Sequence, residues 1–339
     1  MLILDDDIPF TDRLFLMCAG LAVTRGTPVR FVFSSKGQTP YRITRPAIRV
    51  LEGMAQFRNL RVEGAELGSS IVEIWPDNFQ PEGKINVQLP LAASVSLAVE
   101  AYFPLMSGVK NGCKVTLEGG THTSDSPGFD TIQRSWIPML DQMGMNLRAE
   151  LLRPGFAPAG GGRIQLLAEP MSDPEVIEIL QAGRQIRNKA TLFWAHGSNR
   201  DVDKQKEKLE NSLRWNASEI ELIRNNESLS PGYSVILEST KEDVNNIFEE
   251  HSSQRSAHTS ATKRVIERFR RFAAQRVPLC RTLAEMLLVP MALAAGGKIR
   301  TEPLSPHAEQ LLSLLPKLLG VRCEVTHSSL ADATITIEK

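Results

Sequence analysis

The sequence predicts an α/β fold of the α+β kind, on three observations. A pattern of helix, strand, helix, strand, strand recurs three times with a repeat of about 80 to 90 residues. A more charged segment of different character separates the second copy from the third. The 339 residues are 42% hydrophobic and 23% charged, enough apolar surface for one large domain and a smaller one.

Hydrophobic periodicity places the elements in order. In the first copy a helix at Asp12 to Arg25 leads to a strand at Pro28 to Phe33, a helix at Ile43 to Phe57, and strands at Leu60 to Glu63 and Ser70 to Trp75. The second copy has a helix at Ala92 to Met106, a strand at Cys113 to Glu118, a helix at Phe129 to Met143, and strands at Asn146 to Leu152 and Gly162 to Ala168. The third has a helix at Leu279 to Ala294, a strand at Lys298 to Thr301, a helix at His307 to Leu319, and strands at Val321 to His327 and Ala333 to Glu338. Between the last two copies lie the charged run Arg200 to Glu210, the turn Ser230-Pro231-Gly232, a strand at Tyr233 to Glu238 and a polar stretch from Glu249 to Thr262. The expected division is a repeat domain of residues 1–182 and 276–339, with a small α/β domain, 183–275, inserted. The basic run Lys263 to Arg271 carries Val265, Ile266, Phe269 and Phe272 at helical spacing, which reads first as a helix with a buried stripe and second as an RNA-contacting helix.

Composition narrows the function classes. The longest apolar stretch, Met286 to Ala295, is about half of what a membrane-spanning helix needs, and Asp5, Asp6 and Asp7 stand where a signal peptide would be basic. A cytoplasmic protein with no membrane partner is expected. Cys18, Cys113, Cys280 and Cys323 lie far apart with no CxxC pair, so they read as thiols rather than a disulfide framework or a zinc site. The formal net charge is zero, so nucleic-acid binding must come from local basic clusters.

If the three copies pack as equivalent modules, the loops between their first strand and second helix occupy equivalent places. These are Ser34 to Arg42, with Lys36, Gly37, Gln38 and Arg42; Gly119 to Gly128; and Glu302 to Pro306, running into His307. Their convergence would build one polar cleft. His307 is the sharpest residue: Ser305 reads as an N-cap and Pro306 as the first helical residue, which puts the imidazole in the first turn. A helix start disfavours imidazolium and welcomes phosphate, although a polar surface helix start has the same spacing. His122 is a loop residue placed for substrate contact, and no histidine pair has metal-ligand spacing. The glycines of Gly119-Gly120 and Gly160-Gly161-Gly162 fit neither a Walker nor a dinucleotide fingerprint; they read as tight turns, or as backbone N–H groups that cradle phosphate.

The runs LEGGTHTSDSPGFDTIQRSWIPMLDQMG, LLRPGFAPAGGGRI, TLAEMLLVPMALAAGGKI and LSPHAEQL, with VEGAELGSS before them, resemble the successive signatures of the RNA 3'-terminal phosphate cyclase family. The resemblance covers nearly the whole chain outside the inserted segment. It implies three βαβαββ-type repeats similar to the EPSP synthase superfamily, with a small α/β domain inserted before the third. It also implies ATP and a divalent cation, Mg2+ or Mn2+, and conversion of an RNA 3'-phosphate to a 2',3'-cyclic phosphate through an adenylylated histidine. That histidine falls on His307. Thr121, Ser126, Pro127 and Asp130 keep the pattern of the nucleotide pocket, Glu285 stands where the family has an aspartate, and Thr282 replaces a tyrosine near the base. Gly160 and Gly161 join the nucleotide set, Lys36, Arg42 and Arg45 the set for substrate phosphate, and Glu285 and Asp5 the set for metal.

The N-terminal part departs from the family. An acidic, glycine-rich GEGGGQ-type loop is replaced by Asp5-Asp6-Asp7-Ile8-Pro9-Phe10-Thr11-Asp12, Met17 stands where a helix arginine belongs, and Leu89-Pro90-Leu91-Ala92-Ala93 replaces a GSAGS-like turn. Arg13 is a substitute for the lost arginine, and the N-terminal aspartates are either a metal site or clustered surface acids. Two function classes follow: an ATP-dependent enzyme acting on RNA 3'-phosphate ends, and a catalytically reduced relative that binds RNA or a protein partner. DNA is not an expected partner.

Overall fold

The computed structural model describes residues 1–5, 8–33, 41–80, 82–124, 126–215, 217–329 and 331–339. The first unit comprises β1 (Leu2–Leu4), α1 (Asp12–Thr24), β2 (Val29–Val32), α2 (Arg45–Met54), β3 (Arg58–Glu63) and β4 (Ile71–Gln80), in a sheet ordered β1-β2-β4-β3. The second comprises β5 (Gly83–Gln88), α3 (Val95–Ser107), β6 (Cys113–Gly119), α4 (Phe129–Thr131), a π-helical turn Ile132–Trp136, α5 (Ile137–Gln142), β7 (Leu147–Arg153) and β8 (Gly162–Ala168), in the order β5-β6-β8-β7. A third sheet opens with β9 (Ile177–Ile179) and is then interrupted. The interruption holds β10 (Gln185–Ala195), α6 (Asn199–Leu213), β11 (Ile220–Arg224), β12 (Gly232–Lys241), β13 (Asn245–Ser252) and α7 (His258–Gln275), with their own sheet β11-β10-β12-β13. The chain closes with α8 (Arg281–Leu293), β14 (Gly297–Thr301), α9 (Pro306–Leu319), β15 (Arg322–Thr326) and β16 (Ala333–Glu338), completing β9-β14-β16-β15.

Three of these sheets therefore share one strand order and one set of senses: the opening strand pairs parallel, and the other two pairings are antiparallel. A parallel pair needs a crossover, which α1 and α3 supply in the first two units. The opening strands are absent from the helix-first pattern read off the sequence. β1 and β9 have three residues each, too few to show alternation, and β4 runs on to Gln80. Within the interruption the start of the expected polar stretch, Glu249 to Ser252, is the end of β13. A strand whose buried side faces polar neighbours carries no apolar alternation there.

The centre of the molecule is where the opening helices meet: α1 packs on α3 and α9, and α3 on α8. α1 is buried continuously from Leu14 to Val23 and α3 from Val95 to Met106, apart from the half-buried Leu97, as expected of helices surrounded by protein. Their closeness depends on Gly20, where a Cβ would stand 2.3 Å from the Ala101 carbonyl oxygen. α7 buries Val265, Ile266, Phe269 and Phe272, the stripe read from its spacing. One connected core includes Ala190, Leu192, Phe248 and Phe269 of segment 183–275 together with the helices of the other three units. Among the described residues, no helix is long and apolar enough to cross a membrane.

Candidate functional site

Three helices bring three charges together. Thr11 caps α1 by accepting the Leu14 N–H at 3.2 Å, which sets Arg13 at the start of that helix. Its Nε and Nη2 each donate to one oxygen of Glu100 at 2.6 Å, a two-point pairing, and Nη1 donates to Glu285 Oε2 at 3.1 Å. Glu100 lies in the middle of α3 with a side chain 4% exposed, and Glu285 lies in α8. Burial alone would lower the arginine's pKa, but the two carboxylates outweigh it and hold the group above its ordinary value. The cluster carries one negative charge in excess.

His307 stands beside it. Ser305 accepts the Ala308 N–H at 3.1 Å and Pro306 opens α9, so the capping read from the sequence is present. Burial, then the positive charge of Arg13, lowers the His307 pKa against the opposing pull of Glu100 and Glu285. The net direction favours the neutral ring. Its Nε2 is buried and has no hydrogen-bond partner in the structure. A neutral imidazole with an unused ring nitrogen is a nucleophile in waiting.

The second loop forms the opposite wall. Gly119 and Gly120 let β6 end against the backbone of Ala92 and Ala93, where a Cβ would come within 2.5 to 2.6 Å of their carbonyl oxygens. Beyond them Thr121 Oγ1 accepts the Gly155 N–H at 2.9 Å, tying this loop to the turn before β8. Ser126 hydrogen-bonds Ser94, next to the start of α3. A cavity of about 220 Å³ lies between these parts, lined by Arg13, Thr282 and Glu285 on one side and Thr123, Ser124, Ser126, Pro127 and Thr131 on the other. Ile247, Glu249, Glu250, His251 and Arg268, from the inserted segment, complete it. The cavity thus joins the second loop to α1, α8 and the inserted segment, and neither His307 nor the third loop, Glu302 to Pro306, is among its lining residues.

Beneath the cavity is a buried polar network. His122, Phe156 and Phe193 form a cluster of three rings, with His122 5.1 and 5.2 Å from the two phenylalanines and these 5.9 Å from each other, so it joins the second unit to the inserted sheet. Its Nε2 lies 3.3 Å from Asp130, which Arg134 also holds at 2.7 Å. Burial would raise the Asp130 carboxyl, but the His122 hydrogen bond and the charges of His122 and Arg134 keep it at about 2. Glu249 Oε1 accepts the Gly128 N–H at 2.5 Å and the Thr131 hydroxyl at 2.6 Å. Burial and the charge of Asp130 push Glu249 up to about 7, and burial with the nearby His122 pushes His251 down to about 3.

The other residues singled out in the sequence fall in several places. Ser126, Pro127, Thr282 and Glu285 line the cavity, whereas Thr121 and Asp130 brace its wall from behind. Gly160 and Gly161 adopt φ of 64° and 66° in the turn before β8, packed on the Leu91 backbone and the Leu229 side chain, and are not among the cavity's lining residues. Arg42 donates to the Tyr41 carbonyl at 2.7 Å, and Arg45 is exposed at the start of α2. Lys36 lies outside the described residues, as do Asp6 and Asp7. Asp5 is exposed, while Asp12 accepts the Tyr41 and Thr44 hydroxyls at 2.6 and 2.5 Å. Met17 is core, and Arg13 lies in the first turn of the same helix. No group of three or more His, Cys, Asp or Glu among the described residues is arranged to hold a metal, and Glu285 is engaged by Arg13.

Glu100, Glu249 and His251 escaped the sequence reading. Glu100 had a signal, as the sole charged residue of an apolar helix, VSLAVEAYFPLMS. Glu249 and His251 had none, because a polar strand end reads as surface until another unit covers it.

Comparison with known proteins bears on this cleft. A family model described as RNA 3'-terminal phosphate cyclase matches residues 22–325. A protein of Koribacter versatilis named RNA 3'-terminal phosphate cyclase is 27% identical over 80% of this chain and 76% of its own length. One of the same name from Ectopseudomonas mendocina is 24% identical over 91% of this chain and 90% of its own length. A third, from Pseudomonas fluorescens, is 26% identical over 80% and 78% respectively.

Proposed function

The chain belongs to the RNA 3'-terminal phosphate cyclase family, and from that premise we propose that it is an ATP-dependent enzyme that converts RNA 3'-phosphate ends to 2',3'-cyclic phosphates through an adenylylated His307. The observation that carries this reading is the buried, unpartnered Nε2 of His307 beside the Arg13, Glu100 and Glu285 cluster, of which Arg13 and Glu285 also line a polar cavity. In the first step Nε2 attacks the α-phosphorus of ATP, a P–N bond forms, and pyrophosphate leaves. In the second an oxygen of the RNA 3'-phosphate attacks the same phosphorus, breaks that bond and takes the AMP group. The neighbouring 2'-hydroxyl then attacks the RNA phosphorus, gives up its proton and releases AMP, closing the cyclic ester.

The chain's residues have separable parts in this scheme. Arg13 fixes Glu100 and Glu285 and keeps the His307 proton off by its charge. Ser126, Pro127 and Thr282 shape the nucleotide cavity. Arg42, Arg45 and Lys36 are the proposed groups for substrate phosphate, and the like-ordered sheets support three βαβαββ repeats as the frame, with 183–275 as the inserted domain. A divalent cation, Mg2+ or Mn2+, would screen the nucleotide's phosphate charge when bound. The described residues gather no cage for it, so Glu285 and Asp5 are assigned no step.

A second reading rests on one observation: the Arg13 cluster is negative overall, which weakens a site for anions. Each missing charge clamp costs about 3 kcal/mol, roughly a hundredfold in rate. On that reading the chain is a reduced relative that binds RNA or a protein. Incubation with ATP, Mg2+ or Mn2+ and an RNA ending in a 3'-phosphate, against a 3'-hydroxyl control, separates the two. A slow, ATP-dependent cyclic end on the former supports the enzyme; unchanged RNA after long incubation with folded protein supports the binding protein.

A further inference from the structure

A second cavity, of about 100 Å³, adjoins the first and is lined by three arginines that the proposed chemistry does not use. Arg268 and Arg271 come from α7, Arg281 and Thr282 from the start of α8, and Glu302 from the third loop, which runs on to His307. Arg268 and Thr282 also line the larger cavity, so the two spaces share a wall. Pockets for whole ligands run to roughly 300 Å³ or more, so this one has room for a group of phosphate size.

The charge here is unlike that around Arg13. Arg264, Arg268 and Arg271 stand at i, i+4 and i+7 and so share one face of α7. Glu250 accepts from Arg264 Nε at 2.9 Å and from Arg268 Nη1 at 3.1 Å, one carboxylate for two guanidinium groups. Arg271 is exposed and makes no hydrogen bond or ion pair with another described residue. Arg281 is exposed as well, and its Nε donates to the Pro303 carbonyl at 2.7 Å, which orients the guanidinium without neutralising it. Glu302 accepts the Arg281 backbone N–H at 2.9 Å. Four arginines thus face two carboxylates, Glu250 and Glu302, and positive charge is in excess.

Accessible, incompletely paired guanidinium groups around a phosphate-sized space suit a phosphate oxyanion. The nucleotide and the RNA strand both carry such groups, and the row on α7 favours the strand. From Arg264 to Arg271 it runs about 10 Å along the helix, and a strand presents successive phosphates along a line, whereas a nucleotide presents one cluster. Resting on the RNA reading above, we infer that Arg268, Arg271 and Arg281 bind a backbone phosphate of the RNA strand upstream of its reacting end, with Arg264 extending the track along α7. The site holds the strand without reading its bases, since contacts to phosphate position but do not specify.

The test is binding of a short single-stranded RNA ending in a 3'-hydroxyl, followed by fluorescence anisotropy across a salt series. This RNA lacks the terminal phosphate, so it reports on the backbone alone. Arg271→Ala alters an exposed side chain that holds nothing in the fold, and Arg281→Ala removes the charge from the opposite wall. Each should weaken RNA binding about tenfold at low salt, the worth of one hydrogen bond between charged groups. Each should also make the dependence of log affinity on log salt shallower by about 0.7. Binding of the α,β-methylene analogue of ATP, measured by calorimetry, should be unchanged. An RNA affinity and salt dependence unaltered in either variant overturns the inference. A loss of analogue binding as large as the loss of RNA binding assigns the site to the nucleotide and overturns it too. If the unmodified chain binds no RNA even at low salt, the RNA reading itself fails, and this inference with it.

Discussion

Arg13 shows what a single residue contributes and how far it was legible. A charged residue at a helix start is visible in the sequence, but its partners lie 87 and 272 positions away and became known only when the helices met. Glu100 was legible as an anomaly, a carboxylate in an apolar helix, without any sign of what would neutralise it. The same pairing makes a strong prediction. Arg13→Ala leaves two mostly buried carboxylates without their cation, which should cost about 3 to 5 kcal/mol in denaturant unfolding. Glu100→Gln in the Arg13→Ala background should recover part of that loss, because it removes one of the stranded charges. Strictly additive effects would show that the two side chains do not depend on each other. His307 lies at the other extreme: Ser305 and Pro306 gave its place in the helix, because capping is a local matter of neighbouring residues.

At the scale of elements, long periodic segments were readable and short or covered ones were not. α3, α7, α8 and α9 lie where apolar spacing put them, whereas β1 and β9 borrow their stability from the strands beside them and have no pattern of their own. The contact that matters most to the site is that of α1 with α3, since it carries Arg13 to Glu100. Gly20 permits it. Gly20→Val would drive a side chain into the Ala101 carbonyl, 2.3 Å from the first added carbon, and Leu105 is also close, at 3.2 Å. We expect destabilisation of about 1 to 3 kcal/mol. Gly108→Ala, at a helix end with nothing within 4 Å of the added carbon, should change stability by only a few tenths of a kcal/mol. Equal effects of the two substitutions in thermal or denaturant unfolding would argue against a close α1–α3 seam.

For the whole molecule, the central claim is that distant parts of the chain assemble one nucleophilic site around His307. The repeat pattern leads one to expect a meeting of equivalent loops, but of their described residues only those of the second loop line the cavity, which α1, α8 and the inserted segment complete. The inserted segment's share in the cavity was not foreseeable, since Ile247, Glu249 and His251 face inward only once β13 lies against α4 and the π-helical turn. Its core is continuous with that of the repeats, so the unit at 183–275 belongs to the site as well as to the fold. The most direct measurement is labelling of the full chain with α-labelled ATP and Mg2+ or Mn2+, followed by acid and alkali treatment. The account predicts slow incorporation of a label that is acid-labile and alkali-stable, as a phosphoramidate is, and that is lost in His307→Ala. Folded protein that acquires no His307-dependent label with any nucleotide or cation would contradict it.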